Sequence, residues 1–353
     1  MNSTDYTHSK PNLSDHKKIF SVDRVTVARA LPDGSVKQEQ FHSVDTRNYF
    51  RGSNYLLLGP EAIIFNGKYL ADPLQIEYDR IKPRRFISFK PLRRESTSCE
   101  SILLAGKNFS SEGHFVYQHL PRLLTIMREN PTMDYTDWTV LVNPSHQSDT
   151  IKWLDQYDLP KFRVQEISPR LQSFSGIYCS MPRSYTDSLS SVDLSYWGKS
   201  ENTTRSILDS PVFIRRGTKA KRRILNEDQV IEATMAKAPN LNVVDYSKAS
   251  FFEIKNIIRS ATLIIGPSGM GLSPSIMNRS TSIFVLGNRY SKFNWHTRFS
   301  IPAALSSNLA ATLNARSENA PYDFHQDFDY PIDLFKLQLT ELLRLARSYT
   351  VDD

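Results

Sequence analysis

The chain has 353 residues, 40% hydrophobic and 23% charged, a globular mixture that excludes a wholly disordered or low-complexity polymer and suffices for two domains. Its 44 Lys and Arg against 37 Asp and Glu leave a formal charge of +7, which points to a basic cleft for an anionic partner without naming that partner. Cys99 and Cys179 form no Cys-x-x-Cys pair and have no histidine cluster beside them, so neither a disulfide framework nor a structural zinc site is expected and both thiols are read as reduced and buried.

Residues 1–19 lack the apolar core of a secretory signal and read as a disordered tail. No stretch elsewhere approaches the about 18 apolar residues of a membrane span, so a cytoplasmic protein is expected, at most peripheral to the inner membrane. From Phe20 to about Tyr69 the segments FSVDRVTVARAL, NYLLLG and AIIFNGKYL, separated by Asp-Gly, Gly-Pro and Asn-Gly, predict strands and hairpins. From about 100 the pattern predicts a strand at SILLAG, a helix near 114–130, a strand at 139–143, a helix at 148–157 and a strand at 162–167. The polar stretch Pro182–Ser210 reads as an inter-domain connection. Beyond it the pattern predicts strands at 211–216, 241–246, 261–266 and 282–287, helices at 227–238 and 251–260, and a short helix from about 271. Ser250 and Glu253 form a capping box, and an amphipathic helix at about 332–348 closes the chain. This alternation predicts an α/β fold of βαβ units around parallel sheets, with an N-terminal domain at 20–190, a C-terminal domain at 205–325 and a last helix at 330–350.

Four stretches could carry chemistry. Arg215 to Arg223 packs six cations into nine residues at the end of a predicted strand, where open parallel sheets bind ligands and arginine forks match phosphate oxygens; a solvated basic loop or a nucleic-acid patch has the same composition. Just after it, Asn226 with Gln229 reads as a capping box, with Glu227 and Asp228 in the positive first turn. Ile264 to Pro274 is an apolar strand breaking into Gly266, Ser268, Gly269, Met270 and Gly271 before a helix, a turn that lets backbone approach a phosphate or sugar, or simply joins a strand to a helix. It lacks the Gly-Lys-[Ser/Thr] ending of a P-loop. Finally, in Glu112 to Met127, helical spacing puts Val116, Leu120, Leu123 and Met127 on one face and His114, Gln118 and Arg122 on the opposite one, with Pro121 kinking the helix or starting a new one. A histidine with a pKa of about 6.5 suits general-base work, although a helix-face histidine bonded to its neighbours is equally readable.

Taken in order, His114-Phe115 with Leu120-Pro121-Arg122, Ile214-x-Arg216 with Arg222-Arg223-x-x-Asn226-Glu227, and Gly266-Pro-x-Gly-x-Gly-Leu272 resemble glycosyltransferase family sixty-one over about residues 100–290. The resemblance implies the type B glycosyltransferase architecture: two Rossmann-like domains across a central cleft, here with a β-rich N-terminal extension and a C-terminal helix packing back on the first domain. It implies inverting, metal-independent transfer of a hexose, N-acetylhexosamine or pentose from a nucleotide diphosphate, UDP- or GDP-linked, to a hydroxyl of a glycan or lipid-linked glycan, as in capsular polysaccharide synthesis. No cofactor is implied beyond that donor substrate, and no nucleic-acid partner; a homo-oligomer is left open.

By the same resemblance, Arg216, Arg222 and Arg223 bind the donor diphosphate, Asn226 and Glu227 lie beside the nucleotide, and Gly266, Ser268, Gly269, Met270 and Gly271 shape the donor pocket. His114, Gln118 and Arg122 face it from the acceptor side. The chain departs from the family pattern at Gln118, where a glutamate is usual, and at Ser268 and Met270, where the glycine motif usually reads Gly-Pro-His-Gly-Ala-Gly. If that glutamate is the base, then His114, Glu112 or Asp187 takes over, or the chain is a catalytically inactive sugar-nucleotide or glycan binder.

Overall fold

The computed structural model describes residues 15–52, 55–58, 63–66, 69–71, 95–104, 111–167, 172–182, 191–198, 206–217, 222–288, 299–316 and 326–349. The chain divides into two compact units, Met1–Ser21 with Val44–Leu189 and Val22–Ser43 with Ser190–Asp353. Two long strands, β1 (Asp15–Ala30) and β2 (Val36–Gly52), run through both. Two expectations are corrected here. Residues 15–19, expected in a disordered tail, begin β1, and residues 22–43, expected in the N-terminal domain, belong to the C-terminal unit.

In the N-terminal unit, β2 pairs antiparallel with β9 (Gln172–Pro182), which also pairs antiparallel with β3 (Tyr55–Leu58); β4 (Ile63–Asn66) and β5 (Tyr69–Ala71) extend the meander. On its other side β9 runs parallel to β6 (Glu95–Leu103), followed by β7 (Thr139–Val142) and β8 (Arg163–Glu166), all parallel. The crossover from β6 to β7 holds α1 (Glu112–His114), a π-helical turn at Phe115–His119 and α2 (Leu120–Glu129); α3 (Gln147–Gln156) joins β7 to β8. Pro121 is the second residue of α2, directly after the π-helical turn in a helical run that is unbroken from Glu112 to Glu129.

The expected linker at 182–210 contains α4 (Ser191–Leu194) and a 3₁₀ turn, and Leu194 is fully buried. The C-terminal unit is then built on β10 (Pro211–Arg215), α5 (Glu227–Met235), β11 (Asn242–Asp245), α6 (Phe251–Ser260), β12 (Leu263–Pro267), a 3₁₀ segment at Met270–Met277, β13 (Ser282–Gly287), α7 (Ile301–Leu305), β14 (Ala310–Asn314) and α8 (Ile332–Tyr349). Its strands lie in the order β11-β10-β12-β13-β14-β1, all parallel, with β2 beside β1. The runs LIIGP, SIFVLG and AATLN are buried at every position, as strands covered on both faces must be.

Side-chain alternation sorts the two faces of this sheet. Phe213, Ile265, Leu286, Leu313 and Ala30 pack with Val230 of α5 and Phe335, Leu339 and Leu342 of α8 in one core. Val212, Ile214, Ile264, Gly266, Val285 and Thr312 therefore point the other way. Helix α8, implied to pack on the N-terminal domain, instead puts its apolar stripe into this core of its own unit. Tyr330 locks it there by donating its hydroxyl to Gln338, whose amide donates to the Leu31 and Asn314 carbonyls. The capping box of α6 forms as expected, Ser250 and Glu253 exchanging bonds with each other's backbone N–H. Among the described residues no helix is long and apolar enough to cross a membrane.

Candidate functional site

Arg215 ends β10 and Arg216 follows it, the two side chains leaving the sheet on opposite faces. Arg215 turns toward α5, where its Nε donates to Glu227 at 3.0 Å and its Nη2 to Asp228 at 2.8 Å. Burial raises the Glu227 carboxyl above its ordinary value, against the bond and charge of Arg215. Arg216 turns the other way and its Nη1 donates to the Ser268 carbonyl at 3.1 Å, with no ion-pair partner among the described residues. Burial first, then the like charge of Arg222, lower its guanidinium to about 10, with Asp327 and Glu227 opposing; it remains a cation at neutral pH.

The remaining cations separate by partner. Arg223 is clamped by Asp327, which accepts from its Nε at 2.9 Å, its Nη2 at 2.6 Å and its backbone N–H at 2.8 Å. Those bonds hold the Asp327 carboxyl below the usual range. Arg223 is thus engaged in an internal ion pair, while Arg222, in a left-handed backbone conformation at φ 64°, is near enough to Arg216 for its charge to act on it. Lys219 and Lys221 lie outside the described residues. The capping box expected at Asn226 is not formed: its amide donates to the Tyr330 carbonyl and accepts from the Tyr330 N–H, both at 2.8 Å, fixing the helix start to the segment before α8.

Each glycine of the turn after β12 has its own steric reason. A Cβ at Gly266 would lie 2.8 Å from the Ile214 carbonyl oxygen, and one at Gly271 2.9 Å from Ile214 Cγ2, so both permit close packing on β10. A Cβ at Gly269 would lie 2.5 Å from Arg216 Nη2; this glycine makes room for the guanidinium. Ser268, where the family pattern has histidine, is 2% exposed and its hydroxyl has no partner. The Met270 side chain and Asp187 lie outside what the structure describes.

In the N-terminal unit, Ser111 caps α1 by accepting from the His114 N–H. The Leu120 N–H then bonds the Phe115 carbonyl five residues back, and this π turn shifts the register on which the facing of His114, Gln118 and Arg122 rests. The three differ in exposure. His114 is half-buried, whereas Gln118 and Arg122 are each 6% exposed. Arg122 donates to the Leu103 and Leu104 carbonyls at the end of β6 and contacts His119 Nδ1, which makes it an anchor between helix and strand. Gln118 Nε2 is buried without a partner. Glu112 is buried and accepts the Tyr157 hydroxyl at 2.7 Å. Sequence reasoning missed Tyr157 and Asp327, whose partners are 45 and 104 positions away, beyond the reach of any local pattern.

A half-buried arginine with no ion-pair partner among the described residues and a glycine-rich turn thus lie together at the carboxyl ends of adjacent parallel strands, where open α/β sheets bind their ligands. Residues 113–285 match the family model described as Glycosyltransferase 61, which supports membership of that family. Membership implies glycosyl transfer, in general from a nucleotide-sugar donor to a glycan acceptor. Comparison with curated proteins gives no match.

Proposed function

We propose that the chain is an inverting glycosyltransferase of type B architecture that moves a sugar from a UDP- or GDP-linked donor to a glycan or lipid-linked glycan hydroxyl. The observation that carries this reading is Arg216, a half-buried guanidinium whose hydrogen bond goes to a carbonyl rather than a carboxylate. A partly desolvated cation without a bonded counter-ion is matched by a diphosphate, which would supply one. In the reaction the acceptor oxygen attacks the anomeric carbon as its proton passes to a base. The bond from that carbon to the diphosphate breaks with its electron pair, and Arg216 and Arg222 stabilise the charge gathering on the leaving group. The candidates for that base are His114, Glu112 and Asp187, since the amide of Gln118 does not accept a proton at neutral pH.

The neighbouring arginines make a controlled test. Arg216→Ala should weaken UDP or GDP binding about ten- to hundredfold, the worth of a charge-assisted contact, and abolish transfer without lowering the unfolding midpoint. Arg215→Ala should leave binding largely intact and lower the midpoint by about 2–6 °C, because it strips the buried Glu227 of its partner. Undiminished donor binding by Arg216→Ala overturns the assignment. The unpaired amide of Gln118 favours a second reading, a binder without turnover, and nucleotide affinity without product across a panel of donors and acceptors would establish it.

A further inference from the structure

We infer that the chain pairs with a second copy of itself through the outer edge of β2, the stretch Val36–Gln40 lying antiparallel to the same stretch of the other copy about a two-fold axis at Gln38. The inference is independent of the donor reading. β2 lies five strand spacings from β10, about 24 Å across the sheet, so the surface it uses is not that of the Arg216 pocket.

The edge is open and has a groove beside it. β2 borders β1 on one side, and among the described residues it gains a strand on the other side only from Arg47, where its pairing with β9 begins. The backbone groups that point outward between Val36 and Gln40 therefore meet no ladder, and such an edge is a template for another strand. Lys37, Gln38 and Gln40 are exposed. Along this edge a groove of 510 Å³ separates β2 from α8, its walls including Val36, Gln38, Leu337, Glu341, Arg344 and Leu345. Val36 and Leu345 pack on the rim of the core that α8 shares with the sheet, whereas Leu337 is 47% exposed. Gly34, at φ 85°, closes one end: a Cβ there would collide with Leu337 Cδ2, so the turn between β1 and β2 seats on that leucine.

Charge selects a second copy as the occupant. Centring an antiparallel pair on Gln38 puts Gln38 opposite itself, Val36 opposite Gln40, and Lys37 opposite Glu39 of the other copy, the last pair occurring twice by symmetry. Directly opposed side chains share one face of the sheet, and opposite charges there stabilise the pairing. Sliding the register by two residues either way sets Lys37 against Lys37 or Glu39 against Glu39, so the neighbouring registers are repelled. The groups are placed for this exchange: Glu39 is held by Arg29, while Lys37 is 63% exposed and reaches Glu39 of its own strand at 3.5 Å. The same axis sets the two α8 helices side by side on one face of the joined sheet, where Leu337 and Leu345 of each leave water together. Glu341 and Arg344, paired at 3.0 Å, give that contact a polar rim.

The test is the oligomeric state of the full-length protein by sedimentation velocity from about 1 to 100 µM, the range of interfaces of modest area. Wild type should pass from monomer to dimer, and high salt should move that transition to higher concentration. Lys37→Glu sets an acid against Glu39 in both pairs and should weaken dimerisation at least about tenfold, with an unfolding midpoint equal to that of wild type where both are monomeric. Leu337→Glu should weaken it as well. Gln38→Cys faces itself and should form a disulfide-linked dimer on mild oxidation. Wild type, with Cys99 and Cys179, and Gln40→Cys, whose two copies lie four residues apart along the pair, should not. Wild type that stays monomeric over the whole range overturns the proposal and leaves the groove to a segment of another protein. A dimer that Lys37→Glu and Leu337→Glu leave intact lies on another face, and linkage through Gln40→Cys but not Gln38→Cys contradicts the register; either result overturns the pairing.

Discussion

At the scale of single residues, four neighbouring arginines have separate fates. Arg215 and Arg223 hold carboxylates, Arg216 holds a carbonyl, and Arg222 lies close enough to Arg216 to lower its proton affinity. Composition showed a cationic cluster but could not sort it, because the carboxylates that neutralise part of it come from α5 and from Asp327, and only folding decides which guanidinium is left over. The Arg223 and Asp327 pair has a readable pH signature. Its hydrogen bonds hold the Asp327 carboxyl below its ordinary value of 3.8, so the folded state keeps it ionised to lower pH than the unfolded chain does. The stability this gives is present above the unfolded value and is lost as pH falls through the folded one. Asp33, Asp134, Asp245 and Glu253 are lowered in the same direction by their own hydrogen bonds, so Asp327→Asn should reduce, not abolish, the fall in unfolding midpoint between pH 6 and pH 3. An unchanged fall would mean that the pair contributes nothing to acid stability.

At the scale of elements, the reading from sequence is close wherever one pattern decides. The apolar runs of β10, β12 and β13 and the capping box of α6 needed only local information. Two strands had no such signal: β14 reads AATLN, short of the β-branched and aromatic residues that mark strands, and is held by β13 and β1 on either side; β9 carries Gly, Ser and Gln and is fixed by three partners. The π turn was unreadable for a related reason, since one extra residue in a helical turn leaves composition unchanged and moves every later side chain. The glycine turn allows structural and ligand roles to be separated. Gly266→Ala meets backbone that cannot yield and should cost about 1–3 kcal/mol. Gly269→Ala meets the end of the Arg216 side chain and also forces a residue with a Cβ into φ 158°, so it too should lower the unfolding midpoint, and it should in addition weaken nucleotide binding. The rise in midpoint on adding UDP separates the two: it should persist in Gly266→Ala and shrink in Gly269→Ala, and an equal rise in both would assign Gly269 to packing.

At the scale of the molecule, the unexpected feature is that residues 22–43 near the start of the chain complete the sheet of the C-terminal unit. Sequence order argued against it, because a β-rich entry region reads most simply as part of the domain that follows; what decides the matter is that β14 is buried at all five positions and needs a partner on its far side. The link is also polar. Arg29 on β1 is 1% exposed and pairs with Glu39 on β2, both within residues 22–43. Breaking a buried pair by removing one member leaves an uncompensated charge and typically costs about 3–5 kcal/mol. Arg29→Ala should therefore loosen β1 against its parallel partner. Amide exchange in β14, registered against β1 from Val27 to Ala30, should accelerate, while exchange in β7 of the N-terminal unit stays at its wild-type rate. Acceleration in β7 with β14 unaffected would mean that β1 is stabilised with the N-terminal unit, and that the sheet carrying Arg216 holds together without it.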